Sequence, residues 1–285
     1  MPPGSIVLIA TSTRDIVGGG ERMGGPAFFA GTALHLLGAE ATVITVEGAV
    51  ADRLRRLHGI RVEVTGGGET VFSIEVDGGE RVLRLLSRSA MGPLEVSWRG
   101  PCIVSGTMNE IPLKFVEEAA GRGPVLLDVQ GFVRVVSDGG EVRNSADSMR
   151  RLMARLGGSG VLVRGERYEF PPECQGEGIA DCSARYGVDL VMTDAEKPFY
   201  AAVGGELYVG HPLEGIHGEP IGLGDVFTAA LGHYLYSAML PFGEAAARAS
   251  AAATLKLRER HPWFTVPEVE GAARRVVVER RGRIR

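Results

Sequence analysis

Amide, lysine and cysteine side chains are scarce in this sequence. Its 285 residues include two Asn, two Gln and three Lys, whereas Arg occurs 28 times. Few thermolabile amides are typical of heat-adapted proteins, and a GC-rich codon usage explains the arginine excess equally well. On composition we therefore expect a thermophilic source, with the codon explanation left open.

The three cysteines, Cys102, Cys174 and Cys182, show no CxxC or Cys/His spacing, which argues against a zinc site or a dithiol redox motif. Buried thiols are the simplest interpretation. A disulfide between Cys174 and Cys182 stays open, and it would suit a hyperthermophile, in which intracellular disulfides occur.

Long apolar runs and an excess of positive charge are also missing. The N-terminal run "IVLIA" is too short for a signal peptide or a membrane span, which predicts a cytoplasmic protein with no membrane partner. A pI near 5.9 does not fit the clustered basic surface of nucleic-acid-binding proteins. We expect a small-molecule partner and no nucleic acid.

Two common nucleotide-binding patterns are absent. The chain contains no GxxxxGK[ST], and "GGGERMGG", "GRGPVLLD" and "GEGIADC" all fail the GxGxxG spacing. Neither a P-loop nor a dinucleotide fingerprint is therefore present. Any phosphate site has to be built from another pattern.

Short apolar strand patterns alternate with helical patterns along most of the chain. Six runs are apolar on both faces, as in central strands of a parallel sheet: SIVLIA, ATVITV, PCIVSG, PVLLDV, GVLVRG and VDLVMT. Candidate helices lie at about 26–37, 50–58, 112–121, 145–156 and 177–186. This order predicts a doubly wound, mainly parallel α/β sheet with helices on both faces, in which ligands bind beyond the carboxyl ends of the strands.

Two regions interrupt that alternation. Residues 61–88 have the pattern of three strands separated by glycine turns, the second turn being "DGGE", and residues 12–23 are expected to add an edge. These segments predict a small antiparallel β lid. A further hairpin is predicted to turn at Gly204-Gly205. No repeat or long linker is visible, so residues 1–285 are interpreted as one domain carrying the lid.

The stretch "IGLGDVFTAALGHYL" predicts an anion site. Apolar residues recur at helical spacing after Asp225, so a helix begins near Gly224 or Asp225 and its first amides are unpaired. Gly222 and Gly224 would let a phosphate approach the backbone. Asp225 either caps this helix or acts as a base that takes a proton from an attacking hydroxyl.

A second glycine pair, Gly24-Gly25, opens the first helix in "GGPAFFAGTALHLLG". It is interpreted either as a tight turn from the lid into the helix or as a point of close substrate approach. Asp15 lies just past the first strand, where a carboxylate can accept two neighbouring hydroxyls of a polyol. A turn residue is the alternative for Asp15.

Together, the early Asp15, the "GGPA" helix start, the late "GLGD" and the intervening lid resemble the ribokinase/PfkB family of carbohydrate and nucleoside kinases over nearly the whole chain. The resemblance implies a Rossmann-like α/β fold with a β lid, and transfer of the γ-phosphate of ATP, with Mg²⁺, to a hydroxyl of a sugar, polyol or nucleoside. It implies that Asp225 is the catalytic base and that amides of Gly222, Leu223 and Gly224 form an anion hole.

The same resemblance implies a set of binding residues. For the acceptor these are Asp15, Gly24, Gly25, Phe29, Gln130 and Arg134. For the nucleotide they are Thr193, Asp194, Lys197, Glu219 and Ala252. Glu169, in "RGERYEF", is expected to hold hydrated Mg²⁺ through water. Small side chains from Ala251 to Ala253 would leave room for a flat nucleotide base, and close helix packing explains them equally well.

The sequence also departs from the family pattern. Glu219-Pro220 stands where the family usually has Asp-Thr, which puts metal and nucleotide contacts there in doubt. Phe28 or Phe29 stands where ribokinases carry an Asn that holds sugar hydroxyls, so ribose is not expected. The segments "LDVQGFVR", "GGPAFF" and "STRD" are most similar to the archaeal inositol-kinase branch, which ranks myo-inositol first as acceptor.

Two alternatives stay open. One is a nucleoside or phosphosugar kinase of the same family, acting for example on fructose 6-phosphate, which would need cationic side chains near Asp15. The candidates are Arg14, Arg22, Arg88 and Arg134. The other is a binding protein of this fold without turnover, which Glu219-Pro220 allows and Asp225 disfavours. The lid either forms a homodimer contact, as in some family members, or closes alone.

Overall fold

The computed structural model describes residues 4–77 and 80–284 of the chain. Its strands in chain order are β1 (Ile6–Ala10), β2 (Thr13–Val17), β3 (Gly20–Gly24), β4 (Ala41–Glu47), β5 (Ile60–Gly67), β6 (Thr70–Asp77), β7 (Glu80–Ser87), β8 (Cys102–Ser105), β9 (Val125–Asp128), β10 (Arg134–Val136), β11 (Val142–Asn144), β12 (Leu162–Glu166), β13 (Asp189–Asp194), β14 (Lys197–Val203), β15 (Glu206–His211) and β16 (Val277–Arg283). Its helices are α1 (Gly25–Leu36), α2 (Ala49–Leu54), α3 (Leu113–Ala120), α4 (Gln130–Val133), α5 (Ala146–Leu156), α6 (Ile179–Tyr186), α7 (Leu223–Gly232), α8 (Phe242–Lys256) and α9 (Val266–Ala273).

A 10-stranded sheet forms the centre of the fold, in the order β16-β15-β14-β13-β12-β9-β8-β1-β4-β5. All neighbours from β13 to β5 run parallel. Strands β14, β15 and β16 add an antiparallel edge. The six apolar runs are β1, β4, β8, β9, β12 and β13, so the predicted parallel strands are confirmed.

Alternate residues of the central strands face opposite helical layers. In β1, Ile6 and Leu8 pack in the layer of α1, α2, α7, α8 and α9, whereas Val7 and Ile9 pack in the layer of α3, α5 and α6. Helices therefore cover both faces, as predicted. Within the described ranges, no helix combines the length and the apolar character needed to cross a membrane.

The predicted helices correspond to α1, α2, α3, α5 and α6. Helix α7 begins at Leu223, next to the predicted start at Gly224 or Asp225, and continues into a π-helical turn at 233–237. Helix α9 and strand β16 were not predicted. The sequence of β16, "VVERRGR", is dominated by charged residues and becomes a strand by pairing with β15 at the sheet edge.

A separate 4-stranded sheet, in the order β3-β2-β6-β7, forms the lid. Residues 12–23 contribute β2 and β3 to it, as predicted. It is a mixed sheet rather than an antiparallel one, because β2 and β6 run parallel. Strands β6 and β7 pair as a hairpin, but two residues of the "DGGE" turn, Gly78 and Gly79, lie outside the described residues.

Residues 61–67 do not belong to the lid, although the sequence pattern assigned them to it. They lie in β5, which pairs in parallel with β4 at the edge of the main sheet. Ile60 and Val62 pack with the core layer of α1 and α2. The alternating pattern of a half-buried strand identifies a strand without identifying its partner, and that explains the error.

The hairpin between β14 and β15 turns at Gly204-Gly205, as predicted, with φ values of +59° and +75°. Cys174 and Cys182 form a disulfide with a Cα–Cα distance of 5.5 Å. The expectation of buried thiols is therefore wrong for these two cysteines. Cys102 is a free, buried cysteine.

Candidate active site

Two cavities open along the carboxyl ends of the parallel strands. The lid cavity lies between the lid sheet and the start of α7 and has a volume of about 190 Å³. The helix cavity lies between the β13–β14 turn and helices α7 and α8 and has a volume of about 100 Å³. Arg164, Glu166, Pro220 and Gly224 line both, so the cavities meet at these residues.

The turn before α7 carries the backbone to that junction. Gly222 has a φ of +83°, and a Cβ on it would lie 2.3 Å from the Phe29 ring. A Cβ on Gly224 would lie 2.5 Å from Arg164 Nη1. Both glycines that the sequence singled out are therefore required by the path of the backbone.

The first turn of α7 offers amides to an anion. In the described part of the chain, the amides of Gly222, Gly224 and Asp225 have no hydrogen-bond acceptor. The Leu223 amide, which the resemblance places in the anion hole, instead donates to the Pro220 carbonyl at 3.3 Å. Leu223 closes the turn, and the amide of Asp225 takes its place among the open donors.

Asp225 is 8% exposed and lines the lid cavity. Its Oδ1 accepts a hydrogen bond from Gln130 Nε2 at 3.0 Å. Burial and the nearby Asp128 carboxylate raise the pKa of Asp225 to about 7, against the opposing effect of Arg164 and Arg134. A carboxyl group with this pKa can accept a proton near neutral pH, which supports the interpretation as a base over the interpretation as a cap.

Arg164, which was not predicted as a site residue, joins the predicted Thr193 to Asp128 in a buried network beneath the junction. Arg164 Nη1 donates to Asp128 Oδ2 at 2.8 Å, and Nη2 donates to the Thr193 hydroxyl. Thr228 Oγ1 donates to the same Asp128 oxygen at 3.0 Å. The available signal for Arg164 was a single charged residue near the end of the apolar run "GVLVRG", a pattern that is also typical of a strand ending in a turn.

Glu166, the last residue of β12, and Glu169, in the short 3-10 turn that follows it, line the lid cavity. Glu169 is buried, and its Oε2 accepts a hydrogen bond from the Glu166 amide at 2.7 Å. Burial and the carboxylates of Asp128 and Glu166 raise the pKa of Glu169 well above its usual range. Among the described residues, no three acidic, histidine or cysteine side chains are grouped closely enough to hold a metal ion. Mg²⁺ commonly uses one or two carboxylates together with phosphate oxygens and water, and Glu166 and Glu169 fit that kind of site.

Asp15 lies on the lid side of the lid cavity, in β2, and is buried. A Cβ on Gly24 would lie 2.4 Å from Asp15 Oδ2, so glycine at that position makes room for the carboxylate. The cavity is lined by Gly25 and not by Gly24. Gly24 therefore makes room for the Asp15 side chain, whereas Gly25 borders the cavity in which a ligand would lie.

The two phenylalanines of α1 have different surroundings. Phe29 lines the lid cavity. Phe28 is fully buried in the core, with its ring centroid 5.0 Å from that of Phe29. The lid residues Phe72 and Ile74 also line this cavity. Of the two phenylalanines of α1, Phe29 alone therefore offers its ring to the lid cavity, as an aromatic wall.

Gln130 and Arg134, which were predicted to bind the acceptor, also line the lid cavity. Arg134 Nη1 donates to the Thr107 carbonyl at 3.4 Å. The Thr107 loop is fixed by Glu110, whose carboxylate accepts from the Thr107 amide at 2.9 Å. Thr107, which was not predicted, also lines the cavity, and its hydroxyl donates to the Glu110 carboxylate at 2.6 Å.

Thr193, Asp194 and Lys197 line the helix cavity. Lys197 Nζ lies 3.7 Å from the Asp194 carboxylate. Ala252, in contrast, is fully buried in the core, and it is Ala253 that lines the cavity. The predicted run of small residues from Ala251 to Ala253 therefore meets the cavity at Ala253, whereas Ala252, which points about 100° away on the helix, lies in the core.

Glu219 lines neither cavity. Its carboxylate accepts from the Ile221 amide at 3.2 Å and lies 3.8 Å from Arg22. Its carbonyl accepts from Lys256 Nζ at 2.8 Å. These contacts make Glu219 part of the turn before Gly222 rather than part of the cavity in which a nucleotide contact was expected.

Solved structures of two kinases are similar to the chain over nearly its whole length. One is a pyrophosphate-dependent kinase in the ribokinase family, complexed with a pyrophosphate analog and myo-inositol, with 18% identity and a TM-score of 0.72 over 94% of this chain and 99% of that chain. The other is phosphofructokinase-2 from Escherichia coli in complex with substrates and products, with 13% identity and a TM-score of 0.67 over 95% of this chain and 98% of that chain. No protein-family model and no curated protein sequence matches the chain.

At these identities the likeness establishes the fold. The chain has the fold of ribokinase-family kinases, and the doubly wound sheet with a β lid that the resemblance implies is confirmed. Acceptor and donor have to be inferred from the cavities themselves.

Proposed function

We propose that the protein is a kinase that transfers a phosphoryl group from ATP to a hydroxyl of a small polyol. The observation that carries this proposal is the meeting of the two cavities at the start of α7. There Asp225 faces the lid cavity, and Gly224, with an open amide, lines both cavities. The Asp225 carboxylate, which can deprotonate a hydroxyl, and the open amides, which can bind a phosphate, thus lie within one turn of the same helix.

In the transfer, the acceptor hydroxyl in the lid cavity gives its proton to the Asp225 carboxylate while its oxygen bonds to the terminal phosphorus of the donor. The bond from that phosphorus to the bridging oxygen breaks, and ADP leaves on the side of the helix cavity. The open amides and the positive end of the α7 dipole stabilise charge on the moving group. Gln130 holds the Asp225 carboxylate in place.

Arg164 supplies a fixed positive charge at the junction. Its guanidinium group is held by Asp128 and Thr193, so it needs no reorganisation when charge develops nearby. Arg164 lines both cavities, and its Nε has no hydrogen-bond partner among the described residues. The guanidinium is therefore suited to contact the phosphoryl group as it passes between the cavities.

Mg²⁺ bound with the donor phosphates would neutralise part of their charge. Glu166 and Glu169 would hold the ion, directly or through water, together with phosphate oxygens. Glu166 lines both cavities, which suits an ion shared between the donor and the protein.

The lining of the helix cavity favours a nucleotide over pyrophosphate. Away from the junction it is largely apolar, with Phe199, Leu213, Phe227, Ala253 and Leu257. A flat, uncharged base fits such a lining. Pyrophosphate has no apolar part that would fill this lining.

The lid cavity favours an uncharged ring with several hydroxyls. Asp15 and Gln130 offer hydrogen-bonding groups to this cavity, and Phe29 offers an apolar face for the C–H side of a ring. These groups match a cyclic polyol, so myo-inositol is the acceptor that we propose.

The arginines considered for a phosphosugar do not converge on this cavity. Arg134 lines it. Arg22 lies in a neighbouring cavity, 3.8 Å from the Glu219 carboxylate. Arg14 and Arg88 are exposed. A single arginine of the four is little cationic charge for a sugar phosphate, which supports the uncharged acceptor.

A donor-by-acceptor assay tests the proposal directly. ATP and pyrophosphate would each be paired with myo-inositol, fructose 6-phosphate, ribose and cytidine, and the phosphorylated product would be measured. We expect the fastest transfer from ATP to myo-inositol. Faster transfer from pyrophosphate, or to fructose 6-phosphate, would contradict the donor or the acceptor assignment. Binding of a polyol with no product from any pair would favour the non-catalytic alternative.

The cytoplasmic location and a homodimer through the lid stay predictions. Sedimentation of the purified protein with and without acceptor would measure its oligomeric state. A monomer under both conditions would contradict the lid-mediated dimer and favour a lid that closes alone.

A further inference from the structure

Lys256 is a buried cation that the proposed chemistry does not use. It is the last residue of α8, and its side chain is 0% exposed. Its Nζ donates to the Glu219 carbonyl at 2.8 Å and lies 5.4 Å from the centroid of the Phe29 ring. Burial lowers the pKa of Lys256 to about 8.

A buried ammonium group is costly for a protein core. It loses its hydration, and only excellent geometry and further hydrogen bonds offset that loss. A methionine has a similar length and would fill the same space without a charge. The surrounding core is built from alanine, leucine and aromatic side chains, so packing gives no reason for a lysine at this position.

The hydrogen bond and the ring contact of the Lys256 side chain both lead to one segment, residues 219–225, which we call the phosphate turn. The C-terminal end of α8 holds the first residue of this turn from two sides, because the Leu257 carbonyl accepts from the Glu219 amide at 3.1 Å while Lys256 donates to the Glu219 carbonyl. The Phe29 ring under the ammonium group packs directly against Gly222, in the middle of the turn. Lys256 thus contacts the start of the turn and the ring that supports its centre.

We propose that Lys256 is a positioning residue for the phosphate turn, an inference that rests on the proposed kinase function. Its ammonium group fixes the peptide that follows Glu219, and through that peptide it fixes the direction of the open amides of Gly224 and Asp225. The cation–π contact with Phe29 holds the aromatic wall of the lid cavity against the same turn. Donor and acceptor sites are therefore aligned by one side chain that touches neither substrate.

Lys256→Met tests this role, because it removes the charge and keeps the core filled. We expect kcat to fall about 10- to 100-fold, as for a misplaced phosphate cradle, with a smaller change in acceptor KM. The melting temperature should stay the same or rise. Arg248→Met is the matched control, since it removes a cation from the same helix that pairs with Glu270, away from the turn. A kcat within twofold of wild type in Lys256→Met would overturn the proposal.

Chemical rescue separates positioning from general damage to the core. In Lys256→Ala, added methylammonium should enter the vacated space and restore part of kcat in a concentration-dependent manner. Tetramethylammonium, which has no N–H donor, should not restore it, and neither ion should affect Lys256→Met. Folded Lys256→Ala with lowered kcat and no response to methylammonium would contradict the proposal.

Amide hydrogen exchange gives a readout that does not depend on turnover. In Lys256→Met, exchange should become faster in residues 219–225 and stay unchanged in α9. If the wild-type protein transfers no phosphate to any acceptor, the kinase assignment fails and this measurement alone decides whether Lys256 orders the turn. If the wild-type protein is a kinase and exchange in the turn does not change, the positioning role fails and the kinase assignment stands.

Discussion

The lid cavity and the helix cavity share a wall, but they are built differently. Polar groups of the lid cavity come from separate elements, such as Asp15 in β2, Thr107 after β8 and Gln130 in α4. The helix cavity is bounded largely by apolar side chains, among them Phe227 of α7 and Leu257 after α8. On the proposed function, a ligand in the lid cavity would be recognised by hydrogen bonds of fixed direction, and a ligand in the helix cavity mainly by shape and apolar contact.

This difference predicts which mutations impair phosphoryl transfer and which impair the binding of one ligand. Changes in the shared wall should impair the transfer step itself, because that step involves both ligands. Changes beyond it should affect one ligand and spare the other. The variants below are ordered from the largest expected effect to the smallest.

Asp225→Asn should have the largest effect. The amide keeps the size of the carboxylate but cannot take a proton, so we expect kcat to fall roughly 10²- to 10⁴-fold while ATP still binds. Transfer assays with a nucleotide-binding titration would measure both. Turnover within a few-fold of wild type would remove Asp225 as the base.

The stability of the same variant gives a control with a defined sign. The pKa of Asp225 is raised to about 7 in the folded protein, so the folded state binds the proton more tightly than the unfolded state. Its ionisation therefore lowers the free energy of unfolding as pH rises from about 4 to 7. Asp225→Asn removes that loss, and at pH 8 its melting temperature should be no lower than that of wild type.

Arg164→Met should follow in size, with a fall in kcat of roughly 10²- to 10³-fold, as for the loss of a donor to a developing charge. Arg164 also opposes the rise in the pKa of Asp225. The acidic limb of the pH profile of kcat/KM, expected near pH 7 in wild type, should therefore move to higher pH in this variant.

Arg164→Lys is the matched control for that shift. It keeps the positive charge and loses the guanidinium group, whose two terminal nitrogens donate separately to Asp128 and to Thr193. The acidic limb should stay close to its wild-type position while kcat falls. An unshifted limb in Arg164→Met would show that Arg164 does not act on the base.

The sequence was informative where a feature is local and less so where it depends on distant partners. The parallel strands and the turn at Gly222 to Asp225 follow from apolar runs, glycines and helix periodicity within a few residues. Arg164 was missed because its partner Asp128 is 36 residues away, and Lys256 because Glu219 is 37 residues away. The assignment of β5 to the lid failed for the same reason, since a strand pattern does not identify the neighbouring strand.

Asp15→Ala should affect the acceptor alone. Removing one buried, charged hydrogen-bond acceptor should raise the KM for myo-inositol roughly 10- to 100-fold, with the KM for ATP unchanged. Steady-state kinetics with each substrate varied in turn would separate the two constants. A parallel rise in the KM for ATP would mean that the two cavities are not independent beyond their shared wall.

Ala253→Leu should have the smallest effect on catalysis, and it tests the donor side. Ala253 lines the helix cavity and Ala252 is fully buried in the core, so the same substitution at the two positions should act differently. Ala253→Leu should narrow the space for the adenine base and raise the KM for ATP by several-fold, leaving the KM for myo-inositol and the melting temperature unchanged.

Ala252→Leu is the control. It should overpack the core, lower the free energy of unfolding by about 1–3 kcal/mol, and leave the KM for ATP near its wild-type value in the folded protein. If Ala252→Leu raised the KM for ATP and Ala253→Leu did not, the adenine base would lie against Ala252 rather than Ala253, and the helix cavity would not be the donor site.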